Sequence, residues 1–428
     1  MRISAITHGP FNFTDFNFTY SAPFKYRWTA WPDPVRAHAQ PNVPERWLHS
    51  ALIHMTAPEQ HFTVAGAPVT IRLPPINTGA RGLIISDPCF TPPSGVQHWI
   101  DCRWSEQWQT FNRTLRLLEH SLAGHSNEAN NVDYWMSLGD NFYDQNGAIT
   151  DVLYASLSLA AKSKPMGMII GNHDMWIEGG PSDGDQYDQH GNGMMQYYAV
   201  DPASSLHTEK FTEPGQFLDF SVDPDAVAKW NTSLNTASNL IFWHSYGDVA
   251  FIGVSGAFSE QELGPHLDAA CQWLEHMEDP PNWLFLLGHW DKDTSQVGEH
   301  CDPCPHMATP EIYQRLRNTS GCQQFGNRFK YQDGHTHCNY IQEVDPLANN
   351  EAVGLMIGGS GMDGCSQYGF EYIDSDGESL EMYYFELENA TGPSRAEEIL
   401  TCIEEHGLPN CKQLGTLWFE GNASRTVF

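Results

Sequence analysis

Short apolar runs that stop abruptly at a glycine or an acid recur along this chain, and stretches with three- and four-residue apolar spacing lie between them. Runs of this length bounded by turn residues read as buried strands. Residues 82–87 end in Asp87 and are closed by Pro88. Residues 132–138 end at Gly139 and deliver Asp140, with Tyr143 three residues later. Residues 165–171 empty into Asn172-His173-Asp174, residues 248–254 form a further strand, and residues 283–288 run into His289. Trp104, Trp108, Phe111, Leu115, Leu118 and Leu122 share one face and predict a helix over 103–122; a second is expected near 149–162. Ser259 and Glu262 make a capping box for a helix to about residue 277, and Thr309 with Pro310 reads as the cap and first position of another. Asp333-Gly-His335-Thr-His337 follows it, then a strand at 352–358 and a hairpin about Asp376-Gly377. Strands alternating with helices predict an α/β class.

Two regions break the rhythm. Residues 1–80 lack helical periodicity and carry two short strands, 61–65 and 68–74, around Gly66. They are expected to be a β-rich accessory segment packed on a main domain spanning 81–428. Residues 176–240 are rich in Gly, Asp and Asn, a loop of a length that is uncommon unless it lines a site.

Composition narrows the functional classes. At 428 residues the chain is long for one core, since single cores stop growing near ~250–300 residues. The formal charge is -31, from 53 acidic against 22 basic residues, which argues against nucleic acid or an anionic membrane as partner. A small anionic substrate stays compatible, because a bound multivalent metal reverses the field locally. No apolar run is long enough to predict a membrane span, and no signal-peptide pattern opens the chain. The ten Cys permit five disulfides, and Asn-X-Ser/Thr triplets occur at Asn12, Asn17, Asn112, Asn231, Asn318, Asn389 and Asn422. Together they predict a secreted glycoprotein with N-linked glycans, its signal peptide removed.

The chemistry sits at the strand ends. Asp87, Asp140 with Tyr143, Asn172 with His173, His289, and His335 with His337 each present a ligand-capable group. Any one of them is an ordinary turn residue. In sequence, each after an apolar run, they would converge on one edge of a sheet. Three imidazoles, two carboxylates, an amide oxygen and a phenolate can fill two coordination spheres about 3.5–4 Å apart, with a carboxylate bridging.

Asp87, Gly139-Asp-Asn-Phe-Tyr143, Gly171-Asn-His-Asp174, Gly288-His289 and Gly334-His-Thr-His337 resemble the five motif blocks of the metallophosphoesterase superfamily. The Tyr143 version is similar to the purple acid phosphatase branch, as is Gly359-Ser-Gly-Met after the last block. The resemblance covers roughly residues 80–390. It implies a two-sheet β-sandwich flanked by helices and built from a doubled βαβαβ unit. It implies Fe(III) on Asp87, Tyr143, His337 and a bridging Asp140, with a divalent Fe, Zn or Mn on Asp140, Asn172, His289 and His335. The implied reaction is hydrolysis of a small phosphate monoester at mildly acidic pH, by metal-hydroxide attack on phosphorus. His173 would contact the substrate phosphate, and His300 resembles a family general acid, with His306 competing for that part. Phosphodiester or nucleotide-pyrophosphate hydrolysis at the same metals is the alternative, and a binding glycoprotein with a degenerate site is a third reading.

The first block departs from the family's usual Asp-X-Gly, because Asp87-Pro88-Cys89 stands there. Cys89 is either a soft ligand or half of a disulfide, and an oxidising compartment favours the disulfide. Cys301-Asp-Pro-Cys304 has no second Cys-X-X-Cys, so structural bridges are expected there rather than a zinc site.

Overall fold

The structure is a computed structural model that describes residues 2–23, 46–91, 102–143, 148–175, 241–256, 260–291, 307–345, 351–359 and 364–423. At the start of the chain, β1 (Arg2–Thr7), β2 (Tyr20–Pro23) and β3 (Trp47–Leu52) make a small antiparallel sheet in the order β1-β3-β2. β4 (Glu59–Val64) and β5 (Ala67–Arg72) form a hairpin turned at Ala65-Gly66. The next elements are β6 (Arg81–Ile85), α1 (Ser105–Trp108), α2 (Thr110–Ala123), β7 (Tyr134–Ser137), α3 (Ala148–Ser156), α4 (Leu159–Lys162), β8 (Met166–Met168) and α5 (Asn172–Met175). After residue 240 come β9 (Ile241–Tyr246), β10 (Val249–Val254), α6 (Glu260–Glu275), β11 (Trp283–Leu287), α7 (Thr309–Arg317) and β12 (Phe329–Asp333). The last are β13 (Asn339–Asp345), β14 (Glu351–Ile357), β15 (Gln367–Ser375), β16 (Ser379–Asn389), α8 (Ala396–His406) and β17 (Thr416–Asn422).

Two six-stranded mixed sheets carry the fold, in the orders β17-β16-β15-β6-β7-β8 and β13-β14-β12-β11-β10-β9. Strands β6, β7 and β8 run parallel, and so do β10, β11, β12 and β14. Because successive side chains point to opposite faces and both faces are covered, every residue of β10 and β11 is apolar and buried. Along β11, Leu284 and Leu286 face α6 and α7, whereas Trp283, Phe285 and Leu287 meet the other sheet. Along β6, Leu83 and Ile85 pack with Leu117 and Leu118 of α2, and Ile84 points into the inter-sheet core. The result is helix, sheet, sheet, helix, with the parallel strands of both sheets ending on one edge.

The accessory strands touch this body. Leu48 joins the core beneath the first sheet, buried Arg46 pairs with Asp151 of α3, and Asn77 N–H donates to Gly247 O at 3.2 Å.

Several elements differ from their sequence-based expectation. The 103–122 helix is broken at Gln109, whose φ of 49° is left-handed, so that Trp104 stacks on Trp108 at 4.9 Å while α2 turns toward the sheet. The 149–162 helix divides, and Ser158 caps α4 by accepting from Ala161 N–H. The cap of α7 is Ala308, not Thr309. The Thr309 side chain is turned onto Gly288, where a Cβ would stand 2.1 Å from its hydroxyl, and it cannot also cap the helix. Strand β9 was not anticipated; it pairs with β10 through a two-residue turn, Gly247-Asp248. The box at Ser259, the 176–240 stretch, His300, His306 and Cys301-Asp-Pro-Cys304 lie outside the described residues. Among the described residues, no helix is long and apolar enough to cross a membrane.

Candidate metal centre

Each strand end at that common edge delivers a donor. β6 leads to Asp87, β7 to Asp140 and Tyr143, β8 to Asn172 and His173, β11 to His289, and β12 to His335 and His337. The turns are tight. Of ten non-glycine residues with positive φ among the described residues, six are here: Asp87, Asp140, Phe142, Tyr143, His335 and His337. Left-handed backbone is unfavourable for such residues and persists only where the surroundings enforce it. Gly139, at φ 109°, meets both a conformational and a steric demand, because a Cβ there would stand 2.4 Å from His289 Nδ1. A Cβ on Gly171 would stand 2.3 Å from Asp140 Oδ1.

The donors form two overlapping groups that share Asp140. In one, ligand atoms of Asp140, His289 and His335 lie within 4.8 Å of one another; in the other, those of Asp87, Asp140 and His337 do. His289 Nε2 is 2.9 Å from Asn172 Oδ1 and 3.4 Å from Asp140 Oδ1, and His335 Nδ1 is 3.1 Å from the same Asn172 oxygen. On the other side, Tyr143 Oη is 2.8 Å from His337 Nε2 and 3.4 Å from Asp87 Oδ1. His289 Nδ1 is 2.8 Å from Leu138 O, so it donates there and its Nε2 is the nitrogen turned to the donors. Asp140 Oδ1 accepts from His173 N–H at 2.9 Å, whereas its buried Oδ2 has no hydrogen-bond partner among the described residues. A buried carboxylate oxygen without a partner is expensive. These residues fit a pair of cations bridged by Asp140.

The charges say the same. Burial opposes ionisation of Asp140, yet His289 and His173 hold its carboxyl below the usual carboxylate range. His289 is disfavoured by burial but pushed up to about 10 by Asp140 and Asp87. Asp87 is pushed up to about 7, by burial first and by Asp140 among its neighbours. Burial, with His289 adding to it, pushes His335 down to about 3. Burial and then the Asp140 and Asp87 carboxylates raise the Tyr143 phenol well above its ordinary value. A proton on His289 thus answers the buried carboxylates in the absence of a cation. A multivalent ion inverts each of these preferences at once.

One residue had no role assigned from the sequence. The buried Asp174 carboxylate accepts from Gly171 N–H at 2.8 Å, Asn141 N–H at 3.0 Å and Asn141 Nδ2 at 2.9 Å. It ties the loop after β7 to the loop after β8. Its position two after Asn172 was visible in the sequence, but its burial was not. Cys89 is no ligand: it is bonded to Cys102. Cys271–Cys322, Cys338–Cys365 and Cys402–Cys411 are also bridged.

The model of the calcineurin-like phosphoesterase family matches residues 81–339. The chain belongs to this family. As a calcineurin-like phosphoesterase it is a metal-dependent phosphoester hydrolase, and the matched span contains every donor described above. Its fold is similar to that of purple acid phosphatase PPD1 from yellow lupin (Lupinus luteus) seeds. That match has a TM-score of 0.53 at 13% identity and covers 92% of this chain and 68% of that one. PhoD matches with a TM-score of 0.44 at 11% identity, over 78% of this chain and 72% of its own. A dimetal phosphatase from Danio rerio matches at 0.36 and 12%, over 71% and 95%. No curated protein matches the chain.

Proposed function

We propose that this phosphoesterase is a secreted acid phosphatase of the purple type, acting on small phosphate monoesters with two cations. The observation that carries the reading is the pair of donor groups sharing Asp140, one of them completed by the Tyr143 phenol. Asp87, Tyr143, His337 and Asp140 would hold Fe(III). Asp140, Asn172, His289 and His335 would hold a divalent Fe, Zn or Mn. Bound there, the cations would supply Lewis acidity and a water acidic enough to attack phosphorus near neutral pH.

The chain's own part is geometry and exclusion. Leu138 O fixes the His289 tautomer, the Asp174 carboxylate ties the Asp140 loop to the Asn172 loop, and the buried Trp290 ring packs edge-on against His289 at 5.1 Å. His173, at the start of α5 and 5.0 Å from the Tyr143 ring, would meet a substrate oxygen. We assign the general acid to His300 on the sequence resemblance alone. Four disulfides among the described residues, and exposed Asn12, Asn17, Asn112, Asn318 and Asn422 in glycan-acceptor triplets, support an oxidising, secretory route. Residues 1–80 are read as an accessory segment on a catalytic domain of 81–428, supported by the Arg46–Asp151 pair.

The test is elemental analysis with a visible spectrum, followed by turnover of a monoester and a diester side by side. Two metals per chain, one of them iron, a visible band lost in Tyr143→Phe, and preference for the monoester are expected. Preference for the diester would move the protein to phosphodiester or nucleotide-pyrophosphate hydrolysis, and a folded chain that takes up no metal would end the proposal.

A further inference from the structure

The two halves of the centre are braced differently. Cys89, two residues after Asp87, and its partner Cys102 are buried and pack directly against Tyr143. The same stretch is tied down by Thr110 Oγ1, which donates to Cys89 O at 2.8 Å, and by Ser105 Oγ, which accepts from Thr91 N–H at 2.6 Å. Phe90 between them stacks on Phe142 at 5.2 Å. Phe142 and Tyr143 are the residues with left-handed φ of 64° and 49°. Such backbone needs support from outside its own loop, and the 89–102 bridge with Phe90 supplies it. A second bridge, Cys338–Cys365, begins next to His337, and Cys365 N–H donates to His337 O at 3.2 Å. Asp87, Tyr143 and His337 are therefore each within two residues of a bridged cysteine or packed on one. His335, two residues before His337 in the same turn, donates its N–H to Asp87 Oδ2 at 3.1 Å, whereas the loops of Asn172 and His289 are held by hydrogen bonds to the Asp174 carboxylate and to Leu138 O.

We propose that the Cys89–Cys102 and Cys338–Cys365 disulfides are positioning elements for the cation held by Asp87, Tyr143 and His337, and bear on the other cation only through His335 and the shared Asp140. The inference rests on the two-cation reading above. It also gives Cys89 a function in the place of the glycine expected there: the bond packs against the Tyr143 ring.

Two double variants test it, Cys89→Ala/Cys102→Ala and Cys338→Ala/Cys365→Ala, with Cys402→Ala/Cys411→Ala as the remote control. Each of the first two should hold the tyrosine-side cation about 10–100-fold more weakly, the range for lost outer-shell support. Each should shift or bleach the visible band and weaken the second metal less than the first; the control should match wild type in metal content and spectrum. Wild-type metal content and spectrum in the first two variants would overturn the proposal, as would equal loss in the control. If the wild-type chain itself binds fewer than two metals, the two-cation reading fails first and this inference with it.

A measurement on the unaltered protein covers variants that do not fold. A water-soluble phosphine reduces a disulfide to two thiols while taking up the oxygen of water to become its oxide. Metal that binds only the closed form suppresses the opening that exposes the bond, by the factor 1 + [L]/Kd. Metal saturation should slow reduction of Cys89–Cys102 and Cys338–Cys365 about tenfold or more, read by alkylation and mass spectrometry, and leave Cys402–Cys411 unchanged. Uniform protection, or none, would overturn the proposal.

Discussion

Asp140 is buried, with one carboxylate oxygen engaged by His173 N–H and the other turned to no partner among the described residues. Among the described residues, no other belongs to both donor groups. Asp140→Asn keeps the shape and removes the charge, so both cations should be lost together. Affinity for each should fall by more than the ~10–100-fold that outer-shell changes produce, read by elemental analysis of the dialysed variant. Retention of one metal at wild-type affinity would show that Asp140 does not bridge. At this scale much was legible, because donors placed after apolar runs must gather wherever parallel strands end together. Asp174 was not: nothing in Asn-His-Asp marks the acid as buried, and only the fold shows it between two loops. Nor could the sequence decide whether Cys89 binds metal or sulfur, since that depends on the 5.6 Å separation of its Cα from that of Cys102.

Element boundaries carried the remaining errors. Apolar spacing over 103–122 is continuous across Gln109 and gives no sign of the left-handed residue that splits the helix. Strand β9 was hidden because Ile241-Phe-Trp-His-Ser-Tyr246 follows a long aperiodic stretch and carries a histidine in its middle. That histidine has a consequence. His244 is buried, stacked on Phe242 at 5.0 Å, and neither ring nitrogen has a partner among the described residues. Burial pushes its pKa down to about 3 from an ordinary 6.5. Between those values the unfolded chain binds a proton that the folded chain does not. The folded state therefore keeps its full stability above pH 6.5 and loses it as the pH falls, by up to about 1.4 kcal/mol per unit. His244→Phe should remove that dependence. Denaturant unfolding at pH 7.5 and 5.0 should show the gap between the two pH values narrowing by about 1–2 kcal/mol relative to wild type. An unchanged gap would mean that His244 keeps its charge when folded.

With the proposed metal pair bound, the whole molecule would set a cationic centre inside a strongly anionic body. With a formal charge of -31, the surface would repel a phosphate dianion at long range, while the proposed metal pair would attract it at short range. The two fields respond differently to salt. Screening shortens from ~30 Å at 0.01 M to ~8 Å at 0.15 M, so added salt removes the distant repulsion before it reaches the buried centre. kcat/KM for a monoester at pH 7 should therefore rise with ionic strength, the reverse of an enzyme whose surface steers its substrate inward. The rise should be smaller for a singly charged diester, because the repulsion scales with substrate charge. It should also shrink at pH 5, where a phosphate monoester, with its second pKa near ~6, is mostly singly charged. A kcat/KM that falls with salt at pH 7 would mean that the field of the centre extends past the protein surface and outweighs the net charge. Rates over 0.01–0.15 M salt at the two pH values separate these cases, with metal content checked at each point so that cation loss is not read as screening.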